Sequence, residues 1–262
     1  MTKTAKATHD TGWGDFTLAS DELRFRIIFR SFGADKTGKD HFGLTGPGPI
    51  AIQSFDVGLE GVVEKFVKAG KEVRRTEYEF DKNDFSQKAA QDIVDRFETD
   101  YAIALKKART IMWDTESEFW EVCRYAEFGQ KSDRPNSYER LNGWYRDLIQ
   151  QAYDSNVNLQ LIQKTKEKWG NRTKQSKDGR TVQEGYPTGE FEPYGFKELN
   201  YIVQANLQHF WVPGTDESSS HFEVKVLNCR QNMGVAGETF EGLDLPTLGQ
   251  LVFPDSTEKD WA

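Results

Sequence analysis

Apolar and polar positions along this chain repeat with two different periods. Residues 23–29 (LRFRIIF) partly alternate and are rich in β-formers, which predicts a strand, and residues 49–55 (PIAIQSF) predict a second, buried one. Within 58–69 the apolar residues Leu59, Val62, Val63, Phe66 and Val67 follow the spacing of one helical face. Residues 72–80 alternate charged and β-forming side chains, as an exposed strand does, and 85–108 carry a long helical pattern. A short strand is predicted over 109–114 (RTIMWD). A helix over 116–128 follows, and another from Ser137 with Leu141, Trp144, Tyr145, Leu148, Ile149 and Ala152 on its apolar face. Residues 157–162 predict one more strand.

Strands and helices in alternation imply a mostly parallel sheet covered by helices, an α/β fold. Beyond Lys164 the pattern changes. Residues 164–190 are polar with four glycines and read as a long functional loop, and the apolar stretches 195–211 and 221–228 are expected to add antiparallel strands at the sheet edge. Residues 1–22 read as a loose polar arm, 23–254 as one domain, and 255–262 as an acidic tail in which Trp261 is expected to fray or to dock a partner. Trp113, Trp120, Trp144 and Tyr145 are expected to pack in the core.

Composition narrows the classes. Of 262 residues, 37% are hydrophobic and 13% aromatic, which excludes a disordered chain. No apolar run is long enough for a membrane helix and no secretory leader is evident, so the chain reads as cytoplasmic. Cys123 and Cys229 lack any CxxC spacing and read as reduced thiols; four scattered histidines argue against a zinc centre. The net charge of −8 means that any nucleic-acid contact must come from a local basic patch.

The sharpest chemical signal is Gly33-Ala34-Asp35-Lys36-Thr37-Gly38-Lys39-Asp40, which matches GxxxxGK. Glycines let backbone N–H groups curl around a phosphate, and Lys39 would reach the β- and γ-phosphates of a nucleotide. A Ser or Thr normally follows that lysine and ligates Mg²⁺. Here Asp40 stands instead, either as an unusual metal ligand or as a sign of weakened turnover. In a parallel sheet, ligands bind beyond the carboxyl ends of strands. Asp114 ends the TIMWD strand as a Walker B acid would, or as a helix cap; Asp56 follows the second strand, where an acid can orient water or cap a helix. Glu60, Glu116 and Glu118 are weaker candidates. Gln163 ends its strand, where an amide can sense the γ-phosphate or simply be solvated. After it, Lys164, Lys166, Lys168, Arg172, Lys174, Lys177 and Arg180 face only Glu167 and Asp178, with Trp169 among them, the usual chemistry for a single strand or else a merely solvated loop.

Three blocks, SFGADKTGKDHFGLTGPGPIAIQSFDVGLEGVVEKF, ARTIMWDTESEFWEVCRYAEFG and YDSNVNLQLIQKTKEKW, together resemble the RecA-like P-loop ATPases of bacteriophages, often grouped as AAA-domain proteins, and among them the Sak-type proteins of single-strand annealing and recombination. The similarity covers roughly residues 23–235. It implies a RecA-like fold with ATP and Mg²⁺ as cofactors and phosphate contacts from Gly33 to Asp40. Lys39, Asp56, Asp114 and Gln163 would be catalytic or coupling residues, with the metal on Asp114 and, as a carboxylate in place of the family's Ser or Thr, on Asp40. It further implies single-stranded DNA on the loop carrying Lys164, Lys166, Lys168, Trp169, Arg172 and Lys174, assembly as a ring or filament of identical subunits, and residence in host cytoplasm. Asp40 keeps open a nucleotide-binding assembly protein that does not hydrolyse, and a plain single-strand binder with a vestigial loop is a third reading.

Overall fold

Runs of β-branched and aromatic residues pair side by side in the computed structural model, which describes residues 23–56, 58–80, 86–129, 138–175, 181–215 and 219–261. The expected arm 1–22 lies outside the described residues. Strands β1 (Ile28–Gly33), β2 (Ile50–Ser54), β3 (Val73–Glu77), β4 (Thr110–Asp114), β5 (Asn158–Gln175), β6 (Thr181–Tyr194), β7 (Ala205–Val212), β8 (His221–Cys229) and β9 (Thr239–Glu241) build the sheet. Its order is β3-β2-β4-β5-β1-β7-β8-β9, with β6 paired to β5 alone. The six strands from β3 to β7 run parallel, and β8 and β9 are antiparallel.

Helices cover both faces because neighbouring residues of each inner strand point in opposite directions. Helices α3 (Gln87–Lys107), α4 (Glu116–Phe128) and α5 (Tyr138–Ser155) pack on Ile28, Ile111, Trp113, Leu159 and Leu161. The other face carries α1 (Lys39–Leu44) and α2 (Val63–Lys68) near Ile50, Ile52, Met112 and Ile162, and α7 (Leu245–Val252) against Ile27, Phe29, Leu207 and Val226. A short α6 (Leu199–Ile202) leads into β7. No helix of the described residues is long and apolar enough to cross a membrane.

The structure revises several expectations. The first strand starts at Ile28 rather than 23 and runs on through Arg30 and Ser31, both buried. Their polarity hides a strand whose two faces are covered. The helix expected over 58–69 is only Val63–Lys68, since Gly61 adopts φ 82°, outside helical space. The long loop 164–190 is instead a β-hairpin: β5 leaves the sheet after Gln163 and pairs with β6 from Lys164↔Tyr194 out to Gln175↔Thr181. The run was unreadable as strand because both faces of this ribbon are largely solvated, so no buried side imposes an apolar period. The first of the strands expected at the edge, β7, is parallel to β1, and only β8 and β9 are antiparallel. The acidic tail is docked. Trp261 is 1% exposed, its ring 6.0 Å from Phe253 and so close to Gly249 that a Cβ there would fall 2.3 Å away, and its indole N–H donates to Ser256 Oγ at 2.8 Å. Trp113, Trp120 and Tyr145 are buried as expected, Trp144 is half-buried, and Cys123 and Cys229 are buried free thiols.

Candidate functional site

The sheet register brings the chemistry to one edge. Ser54 pairs with Asp114, Asp114 with Ile162, Phe32 with Gln163, and Gly33 with His209. The loop Gly33–Gly38 rises from β1 into α1. Lys36 (φ 61°) and Gly38 (φ 81°) both take left-handed conformations, and a Cβ on Gly33 would stand 2.3 Å from the backbone oxygen of His209, so only glycine allows this approach of β1 to β7. The Lys39 ammonium lies across the loop, donating to Ala34 O at 2.7 Å and Gly33 O at 3.2 Å. Burial lowers its pKa, with Asp40, Asp35 and Asp114 acting in the opposite direction.

Asp40 and Asp114 act on the Lys39 charge, and Asp56 acts on both of those carboxylates. Asp114 is 4% exposed, and its Oδ2 lies 3.5 Å from Ser54 Oγ. Burial raises its pKa well above the usual carboxylate range, and the charges of Asp40, Asp56 and Glu118 raise it further. Burial also raises Asp40, whose neighbour Lys39 pulls down while Asp56 pushes up. Asp56 sits two residues past the end of β2, where Ser54 Oγ donates to its carbonyl at 2.6 Å. Among the described residues no group of three His, Cys, Asp or Glu could hold a metal ion by itself.

Gln163 does not join them. It shares a face with Leu159 and Leu161, opposite to α1, and its Nε2 donates to Glu116 Oε2 at 2.7 Å. Glu116 is fully buried, also accepting from Tyr145 Oη at 2.9 Å and from the Phe196 N–H at 3.2 Å. The amide beneath the loop is Gln160, which donates to Lys39 O at 2.9 Å and Ser31 Oγ at 3.0 Å. His209 Nε2 lies 3.0 Å from the same hydroxyl, and burial drops its pKa to about 3, so it is neutral. The polar residues of this buried network were invisible as a unit because they come from three strands distant in sequence.

A second group also escaped the sequence reading. Trp211 and Phe222 face each other across β7 and β8 with ring centroids 4.8 Å apart, and Phe222 packs on Gly38, where an added Cβ would be 2.9 Å from its ring. His41 stacks on Phe222 at 6.3 Å. Trp211 is 46% exposed, leaving an aromatic surface beside the Gly33–Gly38 loop.

The basic run lies on the hairpin with its charges paired. Lys164 meets Glu118 at 2.6 Å, Lys166 Glu192 at 3.4 Å, Lys168 Glu190 at 2.9 Å, Arg172 Glu184 at 2.9 Å and Lys174 Glu184 at 3.3 Å. Lys177 and Arg180 lie outside the described residues. Counting the three glutamates of β6 reduces the local excess from +5 over 164–180 to +2 over 164–194. Trp169 is 66% exposed. No protein-family model matches this chain, and no curated protein matches it in sequence.

Proposed function

We propose that this chain is a RecA-like, ATP-binding P-loop protein that couples nucleotide to single-stranded DNA held on the β5–β6 hairpin. The observation that carries this reading is an ammonium folded over a glycine loop, with Asp40 and Asp114 acting on its charge and Asp56 acting on those two carboxylates. Gly33 and Gly38 let the loop pack directly on the His209 backbone and the Phe222 ring, and Lys39 can leave its carbonyl partners to bind phosphate oxygens. The exposed rings of Trp211 and Phe222 give the base a stacking surface.

The donor set suits Mg²⁺, which is held by one or two carboxylates with phosphates completing the shell; Asp40 and Asp114 are those carboxylates. An ion held by Asp40 and Asp114 would supply charge neutralisation to the phosphates. Lys39 holds the phosphates in line, and Asp56 orients the attacking water. Catalysis on this scheme is electrostatic alignment.

Calorimetry with ATP and magnesium tests the reading: the native chain binds, and Lys39→Ala does not. Absence of binding to the folded native chain overturns it. Crowding of Asp40 against Asp56 and Asp114 favours a second reading, binding without hydrolysis. Tight binding with no turnover, and turnover gained in Asp40→Thr, would assign the chain to that class.

A further inference from the structure

A cavity of about 440 Å³ opens where the hairpin leaves the sheet, beside the Asp114 edge but on the face of α4. That size lies within the range of about 300 to 1,000 Å³ typical of small-molecule sites. Its walls are aromatic: Phe55, Phe80, Tyr125 and Tyr194, with Phe55 stacked on Tyr78 at 4.9 Å and Phe80 edge-on to Tyr125 at 5.9 Å. The charged groups at the cavity already have partners, so it needs no counter-charge. Glu118 is neutralised by Lys164 at 2.6 Å, and Glu121 by Arg124 at 2.9 Å, with the Tyr194 hydroxyl also donating to Glu121. A charged guest therefore binds there only by exchanging one of these partners. Lys166 holds its ammonium 5.5 Å from the centre of the Tyr194 ring, and both Lys164 and Lys166 are more than 40% exposed, at 43% and 44%. A neutral planar ring matches the stacking walls, and an anionic group attached to it would compete with Glu118 for Lys164 and with Glu192 for Lys166.

We infer that this cavity receives one base of a DNA single strand, stacked among Phe55, Phe80, Tyr125 and Tyr194, with the adjoining phosphate on Lys164 and Lys166. The inference rests on the proposal that the hairpin binds single-stranded DNA, and it names where on the chain a base is gripped. Glu118 links the two sites physically: it lines the cavity, pairs with Lys164 and adds its charge to the field at Asp114. A base drawn in beside it would disturb that ion pair at the edge where nucleotide is proposed to sit.

The test uses the full chain and an oligothymidylate carrying a single 2-aminopurine, whose emission falls when it stacks. Native protein should quench the probe. Tyr125→Ala should bind the strand about 5- to 150-fold more weakly, the span of one lost base stack, without changing the slope of affinity against salt. Tyr125→Phe should restore both affinity and quenching, which separates stacking from misfolding. Lys166→Ala should instead lower the salt slope by about 0.7, the loss of one phosphate contact on a single strand. Strand binding with no quenching, or binding and quenching unchanged in Tyr125→Ala, overturns the cavity assignment and leaves the hairpin reading standing. No strand binding by native protein overturns both. Displacement of the probe by free arginine but not by thymidine monophosphate would give the cavity to a cationic side chain and also overturn the inference.

Discussion

Glu116→Gln probes the buried polar network into which Gln163 is turned. The Glu116 side chain is fully buried, and burial pushes its pKa up from 4.5 to about 7, although hydrogen bonds from Gln163, Tyr145 and the Phe196 N–H and the charge of Arg30 all pull it down. In the unfolded chain the same group ionises near its ordinary value. Between the two values the folded state binds the extra proton, so stability falls as pH rises through that window and the loss is complete above the folded value. From about pH 5 to about pH 8 this one group should cost the native protein about 2 to 3 kcal/mol, at 1.36 kcal/mol per pKa unit. Glutamine cannot ionise, so that slope disappears in the variant. The new amide also finds a partner: Gln163 Oε1 has none among the described residues, and turning the Gln163 amide over presents it to the introduced NH₂. Urea denaturation of both proteins at the two pH values measures the difference. The variant should gain about 2 to 3 kcal/mol relative to native protein on going from the lower to the higher pH. Parallel pH profiles would refute the burial argument, because no other group is altered.

Three further outcomes follow from the geometry. Trp261→Ala should destabilise the fold by about 3 to 5 kcal/mol, as loss of a large buried aromatic does; a melting temperature equal to that of native protein would show that the tail is not docked. Gly33→Ala forces a methyl group into the backbone of His209 and should both weaken ATP binding in calorimetry and lower the melting temperature by the equivalent of about 1 to 3 kcal/mol. Neutralising Lys164, Lys166, Lys168 and Arg172 together should lower the log–log salt slope of single-strand binding by about 3, read by fluorescence anisotropy. Because these ion pairs are solvent-exposed, the same variant should melt within a few degrees of native protein.

The legible parts of this protein are those whose local pattern and tertiary role agree. Helix α4 was expected over 116–128 and is Glu116–Phe128; Thr115 caps it by accepting from the Glu118 N–H. The long helices α3 and α5 were readable because one buried face imposes one period, and strand β4, buried on both faces, because it is a short apolar run of β-formers. The loop Gly33–Asp40 was legible because glycine spacing is a local property, and the carboxyl-edge rule then pointed to Asp56 and Asp114. Amide choice was not legible. Gln160 and Gln163 differ only in which face of β5 they occupy, and the helices packed on each face decide that one touches Lys39 and the other Glu116.

Sequence by itself determined the alternation of strands and helices, the glycine loop and the acids that end the strands, since each depends on residues close together in the chain. Tertiary structure alone decided the hairpin, the parallel seat of β7 beside β1, the burial of Trp261 and the pairing of the basic run with Glu118, Glu184, Glu190 and Glu192. The physical reason is common to all four. A strand with two solvated faces, an indole covered by a helix and a cation meeting its partner across a ladder are each defined by a neighbour outside their own element, and no local period records that neighbour.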